Sequence, residues 1–465
     1  MPEFNQISEA SLAYFKSILG EERVLVGEQI SPDFGRDELT FKPVMPEAVL
    51  QVETEEEIRK IVLEANAQLY PLTVRGQGTG LVGGAVPIRG GILLDMSKMD
   101  SILFLDEDNL TLSVEPGVLL QDVTAYVEAR GYFYPPDPGE KTASIGGNIA
   151  TNAGGMRAVK YGVTRDYIRG LRAITPTGQP LQVGGNIVKN SSGYALKDLL
   201  IGSEGTLAII TQATLRLLPL PKESISMLAP FSSLNQAMDC VATILKSGSQ
   251  PVALEFLERQ TILDTENFLG KKFPHSTSPA YLLLSFDGNS KEHVDQEFAQ
   301  AAEICLSQGA LDAFIIDTEE RKSTVWDARG AFLEAIKAST DELDECDVVV
   351  PRPQIAEFMA FAHSLEEKYQ MPIRGFGHAG DGNLHVYVLR DGIDEKTWQS
   401  KRKNIMEELY QKAFEFKGQV SGEHGIGFEK KEYLPLLAGP EAVELMRGIK
   451  AVFDPNGILN PGKIF

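Results

Sequence analysis

At 465 residues the chain is too long for one compact core and long enough for two or three. Hydrophobic content of 43% and charged content of 23% are those of an ordinary globular protein, which argues against disorder. The formal net charge of −21 argues against a footprint for nucleic acid or anionic lipid, although such a surface suits a basic protein partner.

The three cysteines, Cys240, Cys305 and Cys346, are widely spaced and no C-x-x-C occurs. Neither an iron–sulfur cluster, a cysteine zinc site nor a disulfide framework is expected, which suits a reducing compartment. The N-terminal MPEFNQISEASLAYF has neither a basic start nor an apolar run, so it does not read as a signal peptide. No apolar stretch reaches membrane-spanning length, and a cytoplasmic location is expected.

In chain order, Thr54-Glu55-Glu56-Glu57 is a capping box opening a helix with apolar residues at Ile58, Ile61, Val62 and Ala65. A strand over Leu72–Val74 leads into the glycine-dense GQGTGLVGGAVPIRGG, and strands are expected at Ile92–Leu94 and Leu110–Val114. A helix near 118–129 closes at Gly131, and YPPDPGE breaks the chain. LRAITPTGQPLQVGG reads as a hairpin turning at Thr177-Gly178. The glycine motifs stop at Leu218-Pro219-Leu220-Pro221, a domain boundary. Beyond it, apolar runs at Ile225–Leu228, Val252–Phe256, Tyr281–Phe286 and Ala313–Ile316 alternate with helical segments. That pattern predicts an antiparallel sheet covered on one face by helices.

Gly78-Thr79-Gly80-Leu81-Val82-Gly83 matches G-x-G-x-x-G, but a nicotinamide-binding turn needs a helix starting at the loop. Pro87 and Gly90-Gly91 forbid one. Consecutive glycine N–H groups instead suit a phosphate nest without a helix, with Arg75 adding charge. The string PGEKTASIGGNIATNAGG from Pro138 to Gly155 lets a flat ring system lie against backbone, and GSEGTLAIIT from Gly202 to Thr211 enters a strand.

Together these strings resemble the flavoprotein family that includes vanillyl-alcohol oxidase and p-cresol methylhydroxylase. The C-terminal strings resemble its lactate, glycolate and 2-hydroxyglutarate dehydrogenase branch. The resemblance implies an α+β fold. A two-part FAD-binding domain would span 1–220, an antiparallel-sheet substrate and cap domain 221–415, and a closing C-terminal segment 416–465. It further implies FAD contacts from Arg75, Gly76, Gln77, Gly78, Thr79 and Gly80 in the first string. Pro138, Thr142, Ser144, Gly146, Gly147, Asn152, Gly154 and Gly155 follow from the second, Glu204, Gly205 and Ile209 from the third, and Asn460 from the closing DPNGILNPGKIF. Relatives with covalent flavin carry a linking histidine near the first loop. Here no histidine precedes His275, so noncovalent FAD is implied.

Only six histidines occur, and His275, His293 and His363 lie in polar or helical contexts. In GHAGDGNLH a tight turn separates two apolar strands, so His378 and His385 can converge on one ion, and SGEHGIG adds Glu423 and His424. Two histidines and a carboxylate with open positions form a catalytic-type site for a divalent metal. The resemblance assigns His378, His385 and Glu423 as ligands of Zn, Fe or Mn, His424 as general base and Asn383 as a substrate contact. Arg329, in Trp326-Asp327-Ala328-Arg329, matches the family's substrate arginine, and a guanidinium fork suits a carboxylate.

The implied chemistry is oxidation of a D-2-hydroxy acid, with hydride passing to FAD and metal and His424 assisting. Where the 2-hydroxyglutarate branch places threonine and lysine for a second carboxylate, an ungapped reading finds Leu333 and Glu345, favouring D-lactate or glycolate. Electrons must leave for an external acceptor such as an electron-transferring flavoprotein. Alternatives left open are D-2-hydroxyglutarate as substrate, an FAD alcohol oxidase, and a flavin-carrying subunit of a larger redox complex.

Overall fold

The computed structural model describes residues 3–39 and 43–465. Met1 and Pro2 of the N-terminal string lie outside the described residues. The chain forms two compact units, one made of residues 1–154, 163–220 and 423–465, the other of 155–162 and 221–422.

The first unit is α+β and contains two larger sheets. In one, strands Val24–Val26, Ala48–Gln51, Ile92–Asp95 and Leu72–Arg75 lie in that order, the last three mutually parallel. The helix Glu55–Gln68 crosses between parallel strands. Thr54 Oγ1 accepts from Glu57 N–H at 3.2 Å while a Glu57 carboxylate oxygen accepts from Thr54 N–H at 3.1 Å. Such caps are worth about 1 kcal/mol. Its Ile58, Ile61, Val62 and Ala65 join Phe15, Leu50, Leu72 and Leu94 in one core. Ile92–Asp95 is buried at every position, as a central parallel strand must be.

The other sheet is antiparallel, in the order Ile102–Asp106, Thr111–Val114, Ile209–Arg216, Ile168–Ile174, Pro180–Gly184. Ile209–Arg216 alternates buried and half-buried side chains, so one face meets the core. The expected hairpin is the last pair of this sheet. A short ribbon pairs Leu218–Pro219 with Tyr132–Phe133.

The second unit is built on a seven-stranded antiparallel sheet. Its order is Phe314–Ile316, Glu223–Phe231, Ala280–Gly288, Ala253–Glu258, Ile373–His378, Asn383–Arg390, Glu342–Val349. Strand alternation sorts Glu255, Glu345, Phe376, His378, Asn383, His385 and Tyr387 onto one face. Helices lie on both faces rather than on one. The helix Glu319–Gly330 reaches the polar face, Trp326 Nε1 donating to Ser226 Oγ at 3.0 Å. The helix Ile355–Tyr369 covers the opposite face, where Met359 packs so close to Gly375 that a Cβ there would strike it.

Candidate active site

In the first unit, the glycine-dense segment after Leu72–Arg75 runs to Ile92 without a helix, as its proline and glycines require. Arg75 is buried, donates from Nη1 to Arg36 O at 2.6 Å, and lies under the loop so closely that a Cβ on Gly78 would run into its guanidinium. Gly78 has φ +75°, a conformation L side chains resist. Gly76 lies against Ser144, so the first and second glycine strings meet backbone to side chain.

The second string holds a helix that the sequence reading did not identify. Ser144 caps Ile145–Thr151, its Oγ accepting from Gly147 N–H at 3.2 Å. Asn152 ends this helix in the left-handed conformation, and its Oδ1 accepts from Arg165 N–H at 2.9 Å. Gly154 packs against Glu423, whose Oε2 would be 2.9 Å from a Cβ there. His424 Nε2 is 3.6 Å from Glu423 Oε1, and both side chains are mostly buried.

Glu204, expected among the cofactor contacts, commits its carboxylate to protein. Oε1 accepts from Ile426 N–H and Oε2 from Gly427 N–H, each at 2.7 Å, so it grips the backbone just beyond His424. Burial raises its pKa, opposed by those hydrogen bonds and by Lys463 and Lys430. Lys463 donates to Gly84 O at 2.6 Å, and burial pushes its pKa down to about 7 against the pull of Glu204 and Asp37. Asn460 Nδ2 donates to Glu204 O at 2.7 Å, and Asn460 N–H to Leu72 O at 2.7 Å. The C-terminal string thus ties the first and third glycine strings together.

An FAD site fits these residues. The loops approach one another where glycine alone leaves room, and Asn460 keeps a buried Oδ1 with no hydrogen-bond partner among the described residues.

The second unit holds Arg329, His378, Asn383 and His385 in a buried row. The His378 and His385 rings stand edge to face with centroids 5.4 Å apart. His378 Nδ1 is 2.7 Å from Glu255 Oε1, and Glu255 Oε2 accepts from Arg329 Nη2 at 2.6 Å and Nε at 2.9 Å. His385 Nδ1 is 3.2 Å from Glu345 Oε1, which also accepts from Tyr387 OH at 2.7 Å. Burial pushes the Glu255 carboxyl up, but His378 and Arg329 outweigh it and leave the group below the usual carboxylate range. The Arg329 guanidinium also sits over the Phe376 ring, 4.5 Å from its centroid. Asn383 Nδ2 donates to Asp347 Oδ1 at 2.7 Å, and Ser421 Oγ donates to Asp347 Oδ2 at 2.6 Å.

A divalent metal fits this donor set. Histidine ligands ordinarily give their second ring nitrogen to a carboxylate, and both histidines do so here. Sequence reasoning missed Glu255 as a partner. It sits in the apolar run Val252–Phe256, where the one signal was an acid at an inward position of a core strand.

The comparisons with known proteins agree with this architecture. Residues 46–184 match an FAD binding domain, and residues 220–464 match the C-terminal domain of FAD linked oxidases. The chain is 46% identical to a D-lactate dehydrogenase of Anaerostipes hadrus, over 99% of this chain and 98% of that protein. It is 38% identical to the glycolate oxidase subunit GlcD of Bacillus subtilis, over 90% of this chain and 89% of that one. The solved structure of p-cresol methylhydroxylase with substrate bound superimposes with a TM-score of 0.81 at 17% identity, over 98% of this chain and 97% of that one. The chain is an FAD-dependent oxidoreductase of the FAD-linked oxidase family, on the α+β fold of p-cresol methylhydroxylase.

Proposed function

We propose that the protein oxidises a small D-2-hydroxy acid, with D-lactate going to pyruvate. The observation that carries this reading is the buried row in which His378 and His385 are each oriented by a carboxylate, with Arg329 fixed beside them through Glu255. The Arg329 fork holds the substrate carboxylate. His378 and His385, with Glu423 as third ligand, hold one divalent ion, Zn, Fe or Mn. His424 takes the hydroxyl proton, and Asn383 contacts substrate from a strand position set by Asp347. Bound metal supplies a Lewis acid for the developing alkoxide, and bound FAD supplies the hydride acceptor.

FAD is held noncovalently by the three glycine strings and Asn460. Electrons pass to an external acceptor, an electron-transferring flavoprotein being the favoured class, and the enzyme works in the cytoplasm. Cys240, Cys305 and Cys346 are all buried. No helix among the described residues is long and apolar enough to cross a membrane.

The substrate is small and carries one carboxylate. Glu345 lies buried beside His385 and Tyr387, where a second carboxylate would meet a like charge. Glycolate is the second reading, favoured by the likeness to the glycolate oxidase subunit. Metal removal tests the proposal. Chelator-treated protein should retain FAD, lose D-lactate-dependent dye reduction and regain it with one divalent ion. Full activity in metal-free protein would remove the metal from this reading.

A further inference from the structure

Glu255 is fully buried on a central strand of the seven-stranded sheet. A carboxylate in such a position is costly unless both oxygens are satisfied by charged or strongly polar partners. Its two oxygens divide between two residues of different roles. Oε1 takes His378 Nδ1 at 2.7 Å, and Oε2 takes the Nη2 and Nε edge of Arg329 at 2.6 and 2.9 Å. His378 and Glu255 face each other in register across neighbouring strands, so backbone pairing sets this geometry. Arg329 arrives from a separate helix, one residue from its end.

Glu345 provides an internal contrast. It also meets a histidine of the row, His385, and accepts from Tyr387 on the same strand, whereas both guanidinium hydrogen bonds of Arg329 go to Glu255. The two buried acids therefore do different things. Glu345 meets His385 and Tyr387, whereas Glu255 holds His378 and the arginine together.

We infer that Glu255 is a positioning residue that links the metal-ligating histidine His378 to the substrate-holding Arg329, so that metal affinity and hydroxy-acid affinity depend on one side chain. The inference rests on the functional reading above. Accepting the Nδ1 proton makes Nε2 of His378 the ligating nitrogen and raises its basicity. The same carboxylate fixes the plane of the guanidinium and thereby the direction of the fork offered to substrate.

The test is made on the full-length, FAD-loaded protein. Metal affinity is measured by competition with a chromophoric chelator, and hydroxy-acid affinity from KM and from perturbation of the flavin spectrum by 2-hydroxyisobutyrate, a monocarboxylate with no C2 hydrogen to transfer. Glu255→Gln keeps the size of the side chain but replaces one acceptor oxygen with a donor. It should weaken Zn or Mn binding by about 10- to 100-fold, the range typical of lost carboxylate partners, and raise the 2-hydroxyisobutyrate Kd and the KM together. Glu345→Gln should weaken the metal alike and leave the 2-hydroxyisobutyrate Kd, measured at saturating metal, within about twofold of wild type.

If Glu255→Gln does not accumulate with bound FAD, Arg329→Lys supplies the second arm. A lysine ammonium lacks the two-pronged grip on Oε2, so metal affinity should fall several-fold although residue 329 is not a ligand. Wild-type metal affinity in both Glu255→Gln and Arg329→Lys overturns the inference, as does a Glu255→Gln defect confined to metal alone. Wild-type protein that binds no metal and no 2-hydroxyisobutyrate would instead overturn the functional reading beneath it.

Discussion

Substituting Gly78 by alanine tests whether the first glycine string is a built cofactor cradle. Two costs are legible in the structure. Alanine at φ +75° costs about 1–2 kcal/mol in backbone strain. The new methyl also collides with the buried Arg75 guanidinium, whose Nη1 donates to Arg36 O at 2.6 Å, and losing such a charged hydrogen bond costs roughly 1.5–3 kcal/mol. If the apoprotein loop relaxes to avoid both, FAD binding must restore the strained form. At about 1.4 kcal/mol per tenfold, FAD affinity should then fall by roughly two to three and a half powers of ten. Titration of apoprotein with FAD, followed by quenching of flavin fluorescence, measures it. Gly131→Ala is the control, since its φ is +78° but nothing lies within 4 Å of the added Cβ. It should cost about 1–2 kcal/mol of stability and leave FAD affinity unchanged. Equal FAD affinity in Gly78→Ala and wild type, or equal losses in both variants, would refute the reasoning.

Further outcomes are expected elsewhere. Glu204→Gln leaves one of the Ile426 and Gly427 N–H groups facing a donor, at a cost of about 1–3 kcal/mol, so kcat should fall about tenfold or more while FAD content in the purified protein is kept. Arg329→Met should raise KM for D-lactate far more than it changes FAD affinity, and an unchanged KM would remove Arg329 from the substrate. Acid precipitation should release all flavin into the supernatant, whereas flavin left on the polypeptide contradicts noncovalent FAD. His363 provides a pH test. Its hydrogen bond to Glu258 raises its pKa from 6.5 to about 9 against the effect of burial, so this contribution to stability is complete below about 6.5 and lost as pH rises through about 9. With the side chain 40% exposed, the effect is on the order of 1 kcal/mol or less, and His363→Gln should flatten that part of the curve of Tm against pH.

Much of this architecture is written locally. The capping box at Thr54, the hairpin through Thr177-Gly178 and the apolar runs from Ile225 onward each carry their own period or turn chemistry, and each forms the expected element. The helix Ile145–Thr151 was hidden because two glycines follow its cap and no acid or amide stands at the third helical position. Packing of Ile145 and Ile149 forms it despite poor propensity. The strand Glu342–Val349 was hidden by acids at Glu342, Asp344, Glu345 and Asp347. Glu345 and Asp347 face the polar row, and of the alternate positions only Cys346 and Val348 are apolar and buried. Strings containing both histidine and glycine marked His378 and His385 at once. Glu255 and Glu345, which orient them, come from strands more than 35 residues away in sequence, and no local pattern links an acid to a histidine across a sheet.

The central claim is tested most directly by mixing the metal-replete, FAD-loaded protein with D-lactate or L-lactate without oxygen and following the oxidised-flavin absorbance. The account predicts rapid bleaching by the D isomer alone, loss of that bleaching in His424→Ala with FAD still bound, and pyruvate formed in proportion to flavin reduced. An unchanged spectrum with D-lactate and glycolate alike, from protein shown to hold both FAD and metal, would contradict it.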